Sequence, residues 1–223
     1  VPLPTSPADA EAPAESVVTN LAETPPAETA APAPAASRWG SIAREIVETV
    51  ILTVIIYLVV NAATGRFRVE GESMAPTLHP EEYVLIDKVS YLCVPWAEAC
   101  WGRPERGDIV VFHYPLGPER DFIKRVIGLP GETVTINNGV VSVNGQPLTE
   151  PYIAAPTMNS NTWTLGPDQL FVMGDNRNNS SDSRSWGPLD KKWLVGRALL
   201  VYWPADAWQI VPHHDYGSVA AAP

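Results

Sequence analysis

Hydrophobic and polar positions along this 223-residue chain fall into three textures. Residues 1–37 carry mostly Ala, Pro, Thr and Glu, with no apolar period and no Lys or Arg. Such a segment cannot bury enough apolar surface to order itself, and a disordered acidic tail is expected there. From Ser41, in "SIAREIVETVILTVIIYLVVNAATGRF", the residues from Thr49 to Thr64 are apolar on all sides, bounded by Glu48 and Arg66. That pattern predicts one helix without a polar stripe, spanning residues 38–65 with its flanks. After Gly65 the texture becomes that of strands. "EYVLIDKV", "GDIVVFHY", "DFIKRVIG", "ETVTI", "GVVSV", "QLFVMGD" and "RALLVYW" are rich in Val, Ile and aromatics and are separated by Gly, Pro and Asn. Asn138-Gly139, between two of these runs, predicts a hairpin whose two-residue turn fixes the register. Short turns are expected around "WAEACWG" and "LDKKWL", and no longer helix. The fold class is therefore mainly β: a β-rich domain over residues 66–223 behind one N-terminal apolar helix.

A helix needs about 20 residues to cross roughly 30 Å of hydrocarbon. The uncharged run is slightly short, so Arg44, Glu45 and Glu48 would lie at headgroup level. A buried core helix is the alternative, but the run shows no polar stripe and follows a tail with no hydrophobic pattern. A cleaved secretory leader fits poorly with an acidic, Pro-rich segment ahead of the run. A retained membrane anchor is expected. Arg38 and Arg44 precede it and mixed charges follow, which places the tail in the cytoplasm and the β domain outside the plasma membrane.

The formal net charge of -10 and pI near 4.8 argue against a nucleic-acid partner, which needs clustered Lys and Arg. Cys93 and Cys100, close together in "YLCVPWAEACWG", suit a small disulfide loop in an oxidising compartment, with unpaired thiols as the alternative. His79, His113, His213 and His214 show no metal-ligand spacing, and no metal site or cofactor is expected.

Three segments carry candidate chemistry. In "RVEGESMAPTLHP", Ser73 follows Gly and Glu, yet "GESMA" lacks the second Gly of the α/β-hydrolase elbow and no helix follows. A serine can instead be activated by a lysine whose amine is kept neutral by burial. Of the four lysines, Lys88, Lys191 and Lys192 look solvated. Lys124, in "DFIKRVIGLPG", is surrounded by apolar residues, and strand alternation places it with Phe122 and Val126 while Arg125 faces the other way with Ile123 and Ile127. A snorkelling strand lysine is the alternative. The third segment, "MGDNRNNSSDSRSWGP", is too dense in Asp, Asn, Arg, Ser and Gly for one plain turn. Arg177 stands where a calcium loop needs an oxygen ligand and no Glu closes it. A scaffold is expected in which Asp175, Arg177, Asp182 and Arg184 pair and Ser180 or Ser183 supplies a hydroxyl to orient an amine. A solvated loop is the alternative.

In order, the anchor, "GESMAPTL", "RGDIVVF", "DFIKRVIGLPGE" and "MGDNRNNSSDSRSWGP" resemble the bacterial type I signal peptidases, over residues 40–203. The resemblance implies a membrane-bound serine endopeptidase with a Ser/Lys dyad. Ser73 would be the nucleophile and Lys124 the general base that then passes its proton to the leaving amine. Ser180 would hydrogen-bond the lysine, and Gly174, Asp175, Arg177, Asp182 and Arg184 would buttress the site. The Ser73 backbone N–H would serve the oxyanion hole. Gly71 replaces a serine whose hydroxyl assists that hole in enterobacterial members, so the hole here would rest on backbone donors. Asn178 replaces an Asp found in some members, a change expected to matter little.

The substrates implied are signal peptides of exported preproteins, cut after small residues at −1 and −3 in an A-x-A pattern. An extended peptide would pair with strand edges near Val69 to Gly71 and Asp121 to Ile123. Val69, Met74, Leu78, Phe122 and Ile123 would shape shallow pockets. Tryptophans, Trp96, Trp101 and Trp203 among them, would suit contact with the lipid bilayer, or an ordinary β core. A membrane-anchored binding module without catalysis is the competing class, and a protease for one dedicated partner a third.

Overall fold

The computed structural model describes residues 38–94, 99–100, 102–158 and 160–217, without the side chains of Arg38 and residues 93–100. The acidic tail expected over residues 1–37, Trp96 and Trp101 lie outside the described residues. The chain forms two units, one ending at Val47 and one running from Glu48. Helix α1 is Arg38–Ala63, and its stretch Trp39–Ala63 is long and apolar enough to cross a membrane. Its apolar side chains are exposed along its length, from Ile42 to Val60. At about 1.5 Å per residue, its 26 residues reach farther than the hydrocarbon of a bilayer is thick.

Among the described residues fourteen strands follow. They are β1 Thr64–Arg68, β2 Tyr83–Asp87, β3 Cys93–Val94, β4 Ala99–Cys100, β5 Ile109–His113, β6 Asp121–Gly128 and β7 Thr133–Asn137. After them come β8 Val140–Val143, β9 Gln146–Pro147, β10 Asn161–Thr164, β11 Gln169–Met173, β12 Leu189–Asp190, β13 Leu194–Trp203 and β14 Gln209–Ile210. The large sheet runs β1-β2-β13-β5-β6-β11-β12, with β14 beside β13; a smaller one runs β10-β7-β8-β9. Each of the seven strand-like runs read from the sequence contains a strand, and all pairings are antiparallel. Asn138 and Gly139 both have positive φ, 49° and 84°, and join Asn137 to Val140 in register, as an Asn-Gly turn requires.

"WAEACWG" contributes a strand at Ala99–Cys100, while the positions before it, where the short turn was expected, lie outside the described residues. There β3 and β4 pair Cys93 directly with Cys100 through the backbone. "LDKKWL" does form a 3-10 turn, at Lys191–Trp193. The polar segment also holds a helix that the sequence reading missed, α2 Ser183–Trp186, whose N-terminus is capped by the Asp182 carboxylate.

Both faces of the large sheet are covered, which is why β5 reads as a continuous "IVVF" rather than alternating. Ile109, Val111 and Ile123 pack on one face with Val69, Met74 and Leu78. Val110, Phe112 and Val126 pack on the other with Leu170, Val172 and Leu189. Farther along β6 and β11, Ile127, Phe171 and Met173 meet Val134, Ile136, Val141 and Val143 of the smaller sheet. Met74 and Leu78 are fully buried, each worth about 2 kcal/mol of apolar burial. They fasten the turn containing Ser73 to the core.

Candidate active site

Ser73 occupies a 3-10 turn, Glu72–Met74, entered through Gly71 in extended conformation. Met74 points into the core and leaves Ser73 half-exposed. Opposite lies the middle of β6, where Lys124 is 3% exposed. Its Nζ is 2.7 Å from Ser73 Oγ and also donates to the Ile123 carbonyl at 2.7 Å. Burial among apolar neighbours pushes the amine down to about 8, although Asp182 and Asp175 pull the other way. A neutral amine at this distance accepts the serine proton, whereas a protonated one can only donate. None of the hydrogen bonds found among the described residues joins Ser73 to a histidine: His113 meets Asp121, His213 meets Asp108 and His214 meets the Thr149 carbonyl.

The polar segment is a scaffold, but its pairing differs from the expected one. Asp182 and Arg184 do pair, with Arg184 forked onto both carboxylate oxygens at 2.8 and 2.7 Å. Asp175 and Arg177 do not pair with each other. Asp175 receives a fork from Arg125 at 2.9 and 2.7 Å, and Arg177 forks onto Glu150 at 2.8 and 2.5 Å. Each of these buried guanidinium groups thus finds a carboxylate from a distant part of the chain. Arg125 stacks 4.2 Å from the Tyr152 ring, and Arg177 reaches the Tyr152 hydroxyl at 3.3 Å. Burial depresses both arginines, but bonding to Asp175 and to Glu150 wins and holds them above the ordinary value.

This scaffold grips the nucleophile turn at three points. Thr77 Oγ1 donates to Asp175 at 2.5 Å, Asn176 N donates to the Ser73 carbonyl at 3.1 Å, and Asn176 Nδ2 donates to the Glu72 carbonyl at 3.1 Å. Gly174 allows the close approach, since a Cβ there would fall 2.4 Å from Ser73 O and 2.3 Å from Ser180 Oγ. Its N–H donates to Asp182 at 3.0 Å. Ser183 Oγ accepts from Val172 N and so faces the strand behind the site. Ser180 Oγ is buried and, among the described residues, makes no hydrogen bond, so the expected bond to the Lys124 amine is not formed; that amine bonds Ser73 Oγ and the Ile123 carbonyl instead.

A groove of about 600 Å³ leads to the pair, with Val69 and Gly71 on one wall and Asp121, Phe122 and Ile123 on the other. β1 ends the large sheet, and β11 pairs with β6 only from Arg125 to Gly128, which leaves the first half of β6 with a free edge. Met74 and Leu78, expected at the groove wall, are instead fully buried core residues beneath the turn. Trp203 is 58% exposed. Arg125, Glu150, Tyr152, Thr77 and Asn176 were not singled out by sequence reasoning.

The β-rich domain thus presents a serine against a buried lysine. The model of the family described as "Signal peptidase, peptidase S26" matches residues 42–203. The chain is 39% identical to signal peptidase I of Leptolyngbya laminosa, over 82% of this chain and 90% of that one. It is 40% identical to probable signal peptidase I-1 of Synechocystis sp., over 78% and 89%, and 37% identical to signal peptidase I S of Bacillus subtilis, over 70% and 85%. The chain belongs to the signal peptidase S26 family and is a serine peptidase.

Proposed function

We propose that this protein removes signal peptides from exported preproteins, with Ser73 as nucleophile and neutral Lys124 as general base. The observation that carries the proposal is the 2.7 Å contact between Ser73 Oγ and the buried Lys124 Nζ. In the reactive form the Ser73 hydroxyl donates and the amine lone pair accepts. As Oγ bonds to the scissile carbonyl carbon, its proton passes to Nζ and the carbonyl oxygen becomes an oxyanion, for which the Ser73 backbone N–H is a donor. Collapse breaks the C–N bond while Lys124 returns the proton to the leaving amine. Lys124 then deprotonates water, which attacks the acyl-serine ester, and the proton finally goes back to Ser73 Oγ. Gly174, Asp175, Arg177, Asp182 and Arg184 hold the two reacting side chains in register, and Ser180, whose hydroxyl makes no hydrogen bond among the described residues, would orient the amine only by turning to it.

The substrate lies extended in the groove, its backbone paired with the edges at Val69–Gly71 and Asp121–Ile123. Val69, Phe122 and Ile123 leave room only for small residues at −1 and −3. Residues 38–65 anchor the protein in the plasma membrane, and residues 66–223 form the catalytic domain on the extracytoplasmic side, where Trp203 suits contact with lipid. The backbone register that opposes Cys93 and Cys100 across β3 and β4 supports a disulfide between them in that compartment. The test is cleavage of a preprotein bearing an A-x-A site by the purified full chain. Ser73→Ala and Lys124→Ala should each abolish cleavage while the protein stays folded, and full activity in either would sink the dyad.

A further inference from the structure

A second cavity, of about 480 Å³, adjoins the groove and is lined by Met158, Arg177, Asn178, Ser180, Arg184 and Ser185. Ser181 lines the groove and its chain neighbour Ser180 lines this cavity. Ser180 is also close to the nucleophile, because a Cβ at Gly174 would touch both Ser73 O and Ser180 Oγ. An extended chain advances about 3.3 Å per residue, so the two residues after a scissile carbonyl held at Ser73 reach about 7 Å beyond it.

The lining says what those residues meet. Arg177 and Arg184 are buried and bound to Glu150 and Asp182, so neither presents an uncompensated charge. Met158 is 85% exposed, a flexible thioether lip, and Asn178 is an exposed amide. The accessible wall is therefore polar but uncharged. Among the described residues Asn178 Nδ2 donates only to the Pro156 carbonyl, at 3.3 Å, which leaves its side chain replaceable without disturbing the buried pairs.

We infer that this cavity receives the leaving chain, the first two residues of the mature protein, and that its uncharged lining makes the enzyme tolerant of either charge there. The inference rests on the proposed Ser73/Lys124 chemistry. It also qualifies the expectation for Asn178: an Asp at this position selects substrates by charge after the cut.

The experiment uses the full chain in non-ionic detergent and A-x-A peptides carrying Glu, Gln or Lys at −2, +1 or +2. The wild type should treat the three residues alike at +1 and +2. Asn178→Asp should favour Lys over Glu at one or both of these positions, and Asn178→Arg should favour Glu over Lys. Each preference should be roughly three- to five-fold in kcat/KM, as for one partly exposed charge pair. The −2 series should respond to neither variant. Unchanged ratios, shifts in the same direction for both variants, or shifts in the −2 series would overturn the inference while leaving the dyad intact. Failure of the wild type to cut any peptide would remove the dyad reading and the inference with it.

Discussion

Lys124→Met removes a buried charge while keeping the length of the side chain, and its effect on stability follows from the position of the amine. The fold lowers the lysine from 10.5 to about 8. Each unit corresponds to about 1.4 kcal/mol, so holding the protonated form in the native state costs roughly 3 kcal/mol. The native protein binds fewer protons than the unfolded chain between these two values, so stability rises with pH across that window. Below pH 8 the full penalty is present. Met carries no such penalty, but it loses the donors to Ser73 Oγ and the Ile123 carbonyl, about 1 kcal/mol each and independent of pH. The difference in unfolding free energy, Lys124→Met minus wild type, should therefore fall by roughly 2–3 kcal/mol between about pH 6.5 and 10. Urea unfolding of the two proteins in the same detergent, followed by tryptophan fluorescence at several pH values, measures it. A difference that stays constant with pH would show that Lys124 keeps an ordinary proton affinity in the folded protein, and the argument for a neutral base would fail.

Other perturbations separate positioning from packing. Gly71→Ala should be silent in folding, because a Cβ there meets nothing within 4 Å and the backbone is extended; as Gly71 lines the groove, any effect on cleavage should appear in KM. Gly174→Ala drives a methyl into Ser73 O and should lower kcat by about a hundredfold or more, since small displacements of a nucleophile are that costly. Ser180→Ala removes a buried hydroxyl that has no partner, so thermal unfolding should show unchanged or slightly higher stability. If Ser180 orients the amine, kcat should nevertheless drop about tenfold or more; unchanged kcat would free Ser180 of that role. Asp175→Asn leaves Arg125 buried without its carboxylate and should destabilise by about 3–5 kcal/mol in denaturant unfolding.

The seven strand-like runs were legible because each had its own signal, such as the Asn138-Gly139 turn or the doubly buried run in β5, whereas β1 Thr64–Arg68 and β10 Asn161–Thr164 were not read as strands. Ser73 and Lys124 were legible for a similar reason: a lysine among Phe122, Ile123 and Val126 is anomalous by itself, and the family motifs supplied its partner. The scaffold's pairing was not legible. Asp175 and Arg177 are near neighbours and invited each other as partners, yet their real partners, Arg125 and Glu150, stand 50 and 27 residues away. Charge composition says that carboxylates and guanidinium groups will pair, while topology decides which. One signal was available for Arg125: alternation placed it among apolar residues on the face opposite Lys124, where a guanidinium must find a carboxylate. Met74 and Leu78 were misplaced because a turn beside a groove can aim an apolar side chain at the groove or at the core, and the sequence does not distinguish the two. Strands as short as β12 and β14 carry too few residues to show a period.

The pH dependence of kcat/KM for a signal-peptide substrate tests the central claim most directly. With Lys124 near 8, only about one molecule in ten carries the neutral amine at pH 7. The logarithm of kcat/KM should rise with unit slope from about pH 6, bend near 8 and stay level above it. A bend near 6.5 or near 4 would instead assign the base to a histidine or a carboxylate and contradict the account.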